Sequence, residues 1–397
     1  MKPLEGVRVL DIATYIAAPY CATIMAEFGA EVIKVEMPGV GDPCRRLGSM
    51  TEAGDTLVWL SEARNKKSVT LNLKDPKGQE ILKALVGQAD VLCENFRPGT
   101  LEKWNLGWDV LRAINLKLVM LRVSGYGQTG PYAALPGFGR IGNAFGGISF
   151  LAGDPDRPPA TPGSATLADY MSGLYGALGV VMALRSAEAT GVGQMVDIGL
   201  YEPIFRILDE LAPAYDKFGF IRQRMGAATV NVCPHSHYPT RDDRWVAIAC
   251  TNDKIFGRLA GLMGCLEVAG DGRYGTIGQR EADRPGVDGM VTAWTLAHDQ
   301  GEVVRLCAQA EVPCGIVAAV DEIFNDPQYA ARENIVRIDD PRVGEIAVPN
   351  VVPRLTETPG AVETLGPALG AHNSEVYGAL LGLSESEIAG LVDAGVI

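Results

Sequence analysis

Positive charge, histidine and long apolar runs are all scarce in this sequence. Its 35 Lys and Arg are outnumbered by 48 Asp and Glu, giving a net charge of -13. A broad basic surface for nucleic acid or an anionic membrane is thereby excluded as the main mode of binding. The deficit does not exclude a phosphate-bearing small ligand, because a few cations gathered locally can hold one. There are four histidines, His235, His237, His298 and His372, and only the PHSHYP segment brings two of them close in sequence. No cysteine or carboxylate spacing around them completes a zinc pattern, so no metal is expected. The eight cysteines contain no C-x-x-C pair, and Cys93 and Cys250 sit in apolar runs. They read as buried, reduced thiols rather than a disulfide framework. No stretch of roughly 18 uninterrupted apolar residues is available to span a membrane. The opening MKPLEGVRVLDIA has neither a long apolar region nor a cleavage site. The expected compartment is the cytoplasm, with no nucleic acid and no membrane as partner.

What the chain has is size and pattern. Its 397 residues, 47% of them apolar and 21% charged, can bury a large core and predict two domains. Short runs rich in Val, Ile and Leu recur at Val7–Ile12, Glu31–Val35, Ser68–Leu73, Asp90–Cys93 and Leu118–Val123. Helical segments such as APYCATIMAEFGA and DPKGQEILKALVGQA lie between them. This alternation predicts parallel strands joined by right-handed crossovers: an open α/β sheet that binds ligands at the carboxyl ends of its strands. The turn after the first strand, ATYIAAP, lacks G-x-G-x-x-G, which argues against a dinucleotide fold in the usual sense. Glu36, at the end of the second strand, then reads as a structural or surface acid. Residues 131–168 are rich in Gly, Pro and Ala and predict a long ordered loop of the functional kind. A helix is expected from about Tyr170 to Arg185, then the strand GQMVDIGL and a helix from about Tyr201. Around Ala228 the character changes. HYPTRDDRWVAIAC predicts a hairpin turning at Arg241–Arg244, followed by helices to about Ala310. The tail holds strand-like GEIAVPNVV and a last helix, with Ser384 as cap and Glu387 completing a capping box.

Asp169 opens the helix DYMSGLYGALGVVMAL after the irregular loop, and two roles suit it. Asp is a favoured N-cap. A carboxylate at a helix start also lies among free backbone N–H groups, which can steady an oxyanion when it attacks an acyl carbon. Cations cluster in ARNKKS, with Arg64, Lys66 and Lys67 before a strand, and in ENFRPGTLEKW, with Arg97 and Lys103 near Asn95 and Phe96. Loops at strand ends can converge on one phosphate-bearing ligand, although lysines and arginines also decorate any surface.

In order along the chain, LEGVRVLDIA, AEFGAEVIKVE, RNKKSVTLNLK, ADVLCENFRPG, GYGQTGPY, LADYMSGLYGALG, GVGQMVDIGLYE and LGLSESEIAGLVDAG resemble the family III CoA-transferases, the group of formyl-CoA transferase and carnitine CoA-transferase. The resemblance implies a large α/β domain built from both chain ends and a small α+β domain inserted between them, in an interlocked homodimer. The corresponding division here is 1–205 for the first part of the large domain, 206–227 linker, 228–322 small domain, and 323–397 linker and return. It also implies a nucleophilic aspartate at Asp169 and contacts to CoA at Tyr15, Ile16, Ala17, Lys66, Leu71, Lys74, Asn95, Phe96 and Lys103. CoA thioesters would be substrates, with no permanently bound cofactor. Two departures stand out. The glycine run that closes over the aspartate in formyl-CoA transferase corresponds here to MGAATVNVCPHSH, where Gly226 is the one glycine. The common G-F-D segment is Gly137, Phe138, Gly139, then Arg140.

The second departure bears on chemistry. The related α-methylacyl-CoA racemases carry a histidine at the position of Phe138, and inversion at an α-carbon needs an acid/base group on each face. Phenylalanine exchanges no proton, which favours transfer over racemisation. The expected reaction moves CoA from succinyl-CoA or another short dicarboxylic acyl-CoA to an acid such as malate, citramalate or itaconate, through an aspartyl-CoA thioester on Asp169. Arg140, Arg45 and Arg46 are candidates for pairing with a distal substrate carboxylate. The alternatives are a racemase-like epimerase, or a non-catalytic CoA-binding subunit paired with a paralogue.

Overall fold

The computed structural model describes residues 1–161, 163 and 166–397. They form two compact units, one of Met1–Ile148, Gly163–Phe218 and Ala330–Ile397, the other of Ser149–Pro162 and Gly219–Tyr329.

The first unit is built on a six-stranded sheet: β1 Arg8–Asp11, β2 Glu31–Glu36, β3 Lys66–Thr70, β4 Val91–Glu94, β5 Val119–Ser124 and β6 Met195–Gly199. All five pairings are parallel, in the order β3-β2-β1-β4-β5-β6. Successive side chains of a strand point to opposite faces, and here each face has its own core. Leu10, Ile33, Leu92 and Met120 face the helices Pro76–Val86, Asn373–Leu381 and Glu385–Asp393. Val9, Val32, Val91 and Leu121 face the helices Ala17–Glu27 and Leu167–Thr190. Burial on both sides explains why the strands read as nearly continuous apolar runs.

The strand order is that of dinucleotide-binding sheets, although the glycine fingerprint is missing; it reverses between β1 and β4, where ligands of such sheets bind. The outer edge of β3 is closed by the chain's last residues. Ser68 N–H donates to His372 Nδ1 at 3.1 Å and Thr70 N–H to Asn373 Oδ1 at 2.8 Å, while Asn72 N–H donates to Val396 O at 2.8 Å. An antiparallel hairpin, β10 Ile335–Asp340 with β11 Gly344–Pro349, completes this unit. The predicted capping box of Ser384 and Glu387 is formed.

The second unit holds a three-stranded antiparallel sheet, β7 His235–Pro239, β8 Trp245–Ala249 and β9 Cys314–Ile316. One face packs on the helices Asp253–Leu262, Arg284–Thr295 and Gln300–Gln309. The fully buried Arg280 ties the unit together, donating to Cys233 O at 2.6 Å, Tyr274 O at 2.9 Å and Asp253 Oδ1 at 2.7 Å.

Candidate active site

The helix expected from Tyr170 to Arg185 runs from Leu167 to Thr190 and ends on Gly191 in the left-handed conformation, φ 76°. Asp169 therefore lies inside the first turn, and the cap position is Thr166, which makes no side-chain cap bond. The first-turn N–H of Ala168 donates instead to Asn143 Oδ1 at 3.0 Å. Capping is thus not what Asp169 does. Its carboxylate makes no hydrogen bond or ion pair with any described residue, and burial alone pushes its pKa up to about 6.

Small residues hold this carboxylate in position. The central helix presents Gly173, Gly176, Ala177, Val180 and Ala183 to the alanine-rich helix Ala17–Glu27 and to the sheet. A Cβ on Gly173 would come within 2.6 Å of Ala17 O, and one on Gly176 within 2.9 Å of Leu121. At the level of Asp169, Tyr170 meets Tyr20 edge-to-face with ring centres 4.9 Å apart. Gly139, at the start of the short helix Gly139–Phe145, packs against the carboxylate: a Cβ there would lie 2.5 Å from Asp169 Oδ2.

The turn after β1 links this acid to a cavity. Tyr15 adopts φ 62°, a left-handed conformation costing about 1–2 kcal/mol for a residue other than glycine. Two side chains hold it there. Asn95 accepts from Thr14 N–H at 2.8 Å and returns a bond to Thr14 O at 2.7 Å. Asp42 Oδ1 accepts from Tyr15 N–H at 3.0 Å and from Cys44 N–H at 2.8 Å, while its Oδ2 pairs with Lys34 at 2.9 Å. On one side of the turn, the Tyr15 ring meets Phe138, the neighbour of Gly139, at 6.2 Å. On the other, Thr14 lines a cavity of about 160 Å³ over the carboxyl ends of β1, β2, β3 and β4. Ile12, Val35, Leu71, Lys74 and Phe96 share that lining. Its walls are mostly apolar, with Lys74 as the cation of the lining and with Glu36 and Asp42, paired to Arg45 and Lys34, as its acids.

Of the residues singled out from sequence, the structure brings Tyr15, Ile16 and Ala17 to the turn, Leu71, Lys74 and Phe96 to the cavity, and Asp169 and Arg140 to the two sides of Gly139. Ile16 and Ala17 are buried, so only their backbone faces the turn. Asn95 acts on Thr14 rather than lining the cavity. Lys103 is exposed beyond it, and the next residue, Trp104, is the one that lines it, edge-on to Phe96 at 5.3 Å.

Two cations are corrected. Lys66 is buried, bonded to Asp11 Oδ2 at 3.0 Å and Pro19 O at 2.8 Å, and its ammonium does not reach the cavity. Burial would raise the pKa of Asp11, but Lys34 and Lys66 outweigh it and hold the carboxyl below its ordinary value. Arg45 is likewise enclosed. It grips Glu36 through two bonds of 2.7 and 2.8 Å, reaches Asp55 Oδ1 at 2.8 Å and Pro367 O at 3.0 Å and stacks on Trp59 at 3.8 Å, so four of its five N–H donors are engaged inside the fold. Glu36 is thereby a buried structural acid. Arg64 and Lys67, from the same basic cluster, pair with Glu27 and Glu31. Arg46 is exposed and donates to Val40 O at 2.7 Å. Arg140 is exposed and pairs with no described residue. Sequence reasoning missed Asp42 and Trp104; the D-P start of a short helix at Asp42 was the visible signal for the first. Among the described residues, no three His, Cys, Asp or Glu side chains gather as a metal site.

The chain is 52% identical to the succinyl-CoA–L-malate CoA-transferase beta subunit of Chloroflexus aurantiacus, covering 100% of this chain and 98% of that one. It is 46% identical to the succinyl-CoA–D-citramalate CoA-transferase of the same organism, again over 100% of this chain and 98% of the relative. A solved CAIB/BAIF family protein from Brucella suis superposes with a TM-score of 0.84 at 32% identity, over 96% of this chain and 99% of that one. The model of CoA-transferase family III matches residues 4–373, and the chain belongs to that family.

Proposed function

We propose that the protein carries CoA from succinyl-CoA to a small hydroxy dicarboxylic acid, malate or citramalate, through a thioester on Asp169. The observation that supports this most is the Asp169 carboxylate, half-buried, without a partner among the described residues, and raised to a pKa of about 6. At neutral pH it is ionised yet poorly solvated, which is the state of a reactive oxygen nucleophile. The two relatives named above supply the substrate class.

The reaction closes without a metal or ATP. An Asp169 oxygen attacks the succinyl-CoA carbonyl, and CoA leaves as thiolate, giving a mixed anhydride. The thiolate attacks the Asp169 carbonyl carbon, releasing succinate and leaving CoA on the aspartate. The acceptor carboxylate displaces the thiolate again, and the thiolate then takes the acyl group from the new anhydride and restores Asp169. Each step exchanges one activated acyl bond for another. CoA enters as a substrate thioester, and its body, lying in the cavity over β1–β4, supplies binding energy remote from the reacting carbon. Phe138, beside Gly139, exchanges no proton, so the α-carbon is left untouched.

The test is trapping. Protein incubated with succinyl-CoA and treated with hydroxylamine or borohydride should carry a modification on the peptide containing Asp169. Asp169→Asn should lose transfer by several orders of magnitude while keeping its fold. A normally folded Asn variant with near wild-type transfer would remove the mechanism.

For the distal carboxylate, the reading keeps Arg140 first and Arg46 second. Arg140→Ala should weaken dicarboxylic acceptors by roughly ten- to a hundredfold relative to monocarboxylic ones, the loss of one charge-assisted bond. Equal losses on both classes would assign Arg140 elsewhere. We also infer a cytoplasmic enzyme, consistent with eight free cysteines, that assembles as an interlocked homodimer or with a paralogous chain.

A further inference from the structure

The three-stranded sheet of the second unit has one face packed on helices and one face open. His235 and His237 alternate on β7, so both project to the same face. The rows beside them are Ala249 opposite His235, and Ala247 opposite His237 with Gly315 beyond it. These three residues make a floor with almost no side chain. A Cβ on Gly315 would meet nothing within 4 Å. Above the floor is a cavity of about 310 Å³ lined by both histidines, at the lower end of the roughly 300–1,000 Å³ of small-ligand pockets. The Nδ1 of His235 is buried and has no hydrogen-bond partner among the described residues, and a buried imidazole nitrogen without a partner calls for a ligand or a water. In a chain of net charge -13, no aspartate or glutamate lines this cavity.

We propose that this face is a binding site for a small organic acid, with His235 and His237 donating ring N–H bonds to its carboxylate. The acid-free lining favours an anion over a cation. Two imidazoles without a third ligand are short of the three or four that hold zinc. The bare floor of Ala247, Ala249 and Gly315 accepts the carbon chain. The lining residues all lie within the second unit.

Four histidines in the whole chain make the site directly readable. Protein labelled with 13C in the histidine rings is titrated with succinate or L-malate, in the presence of EDTA, with signals assigned by substitution. Saturable shifts should appear for His235 and His237 and not for His298 or His372. Ala247→Leu, which fills the floor opposite His237, should abolish those shifts while transfer through Asp169 persists. His237→Gln should weaken binding roughly tenfold or more. Shifts reproduced by sodium chloride at matched ionic strength, shifts spread over all four histidines, or shifts unchanged in Ala247→Leu would each overturn the proposal. So would shifts seen only with added zinc and erased by EDTA. Because transfer is assayed separately, failure of this site and failure of the Asp169 mechanism give different patterns.

Discussion

At the scale of single residues, the site is an acid that the fold keeps at a disadvantage. Burial raises the Asp169 pKa from 3.8 to about 6, so the native state holds a proton more tightly than the unfolded chain does. The native state thus takes up a proton between those values, and stability falls as pH rises through that window. Asparagine has no such penalty. Asp169→Asn should therefore be more stable than the wild type at pH 7.5, by about 3 kcal/mol, and the gap should close near pH 4. Scanning calorimetry at both pH values checks this; a variant no more stable at pH 7.5 would mean that the carboxylate is well solvated. The same titration gives kcat/KM an acid limb near pH 6. Gly139 sets the position of the group. An alanine there would bring its Cβ to 2.0 Å from Thr166 Cγ2 and 2.5 Å from Asp169 Oδ2, so the carboxylate must move. Displacement of about 1 Å from a productive geometry costs on the order of a hundredfold in rate. Gly139→Ala should show that loss in kcat with a smaller change in the KM for succinyl-CoA.

At the scale of elements, the turn Thr14–Tyr15–Ile16 lies between the cavity, through Thr14, and the Asp169 neighbourhood, through the contact of Tyr15 with Phe138. Removing the Asn95 amide breaks both of its bonds to Thr14, each worth about 1 kcal/mol, and frees Tyr15 to leave its left-handed conformation. Asn95→Ala should raise the KM for succinyl-CoA more than it lowers kcat; a purely structural residue would lower melting temperature and leave the ratio alone. The turn also marks where the sequence stops being readable. Strands β1, β2, β4 and β5 stand within one residue of their predicted places, because burial on both faces writes them as apolar runs, whereas β3 begins two residues and ends three residues earlier than predicted. The acid at the head of the central helix was visible because it follows an irregular loop and opens a helix, which is local information, and because the segment around it resembles the family. The fate of Lys66 and Arg45 was not visible. Lys66 pairs with Asp11 from 55 positions away, and Arg45 is closed in partly by Pro367, 322 positions away. A cation enclosed by distant acids looks in sequence the same as one offered to a ligand. The boundary of the central helix was misjudged because the cap bond comes from Asn143, outside the helix altogether.

At the scale of the whole molecule, the central helix carries a feature that one chain does not explain. Leu167–Thr190 is the single described helix long and apolar enough to cross a membrane, yet its glycine and alanine face is packed into the core. The opposite side exposes Leu174, Leu178, Val181 and Met182, which are 50%, 51%, 43% and 62% accessible. Their spacing makes one stripe, and a helix apolar on both sides is normally covered on both. In the assembly proposed above, a second chain covers it. Light scattering after size exclusion should then give twice 42.2 kDa, even at sub-micromolar protein, because interlocked chains separate only by unfolding. Two charges in the stripe, as in Leu178→Glu with Met182→Lys, should produce unfolded or aggregated protein rather than a folded monomer. The relative named as a beta subunit sets the alternative outcome: a chain that is poorly folded alone and recovers when co-expressed with a paralogue. Mixing two differently tagged preparations of purified protein separates the cases further, since interlocked homodimers should not exchange subunits under native conditions. A clean, folded and active monomer at low concentration would remove the interlocked architecture and leave the exposed stripe to a different partner.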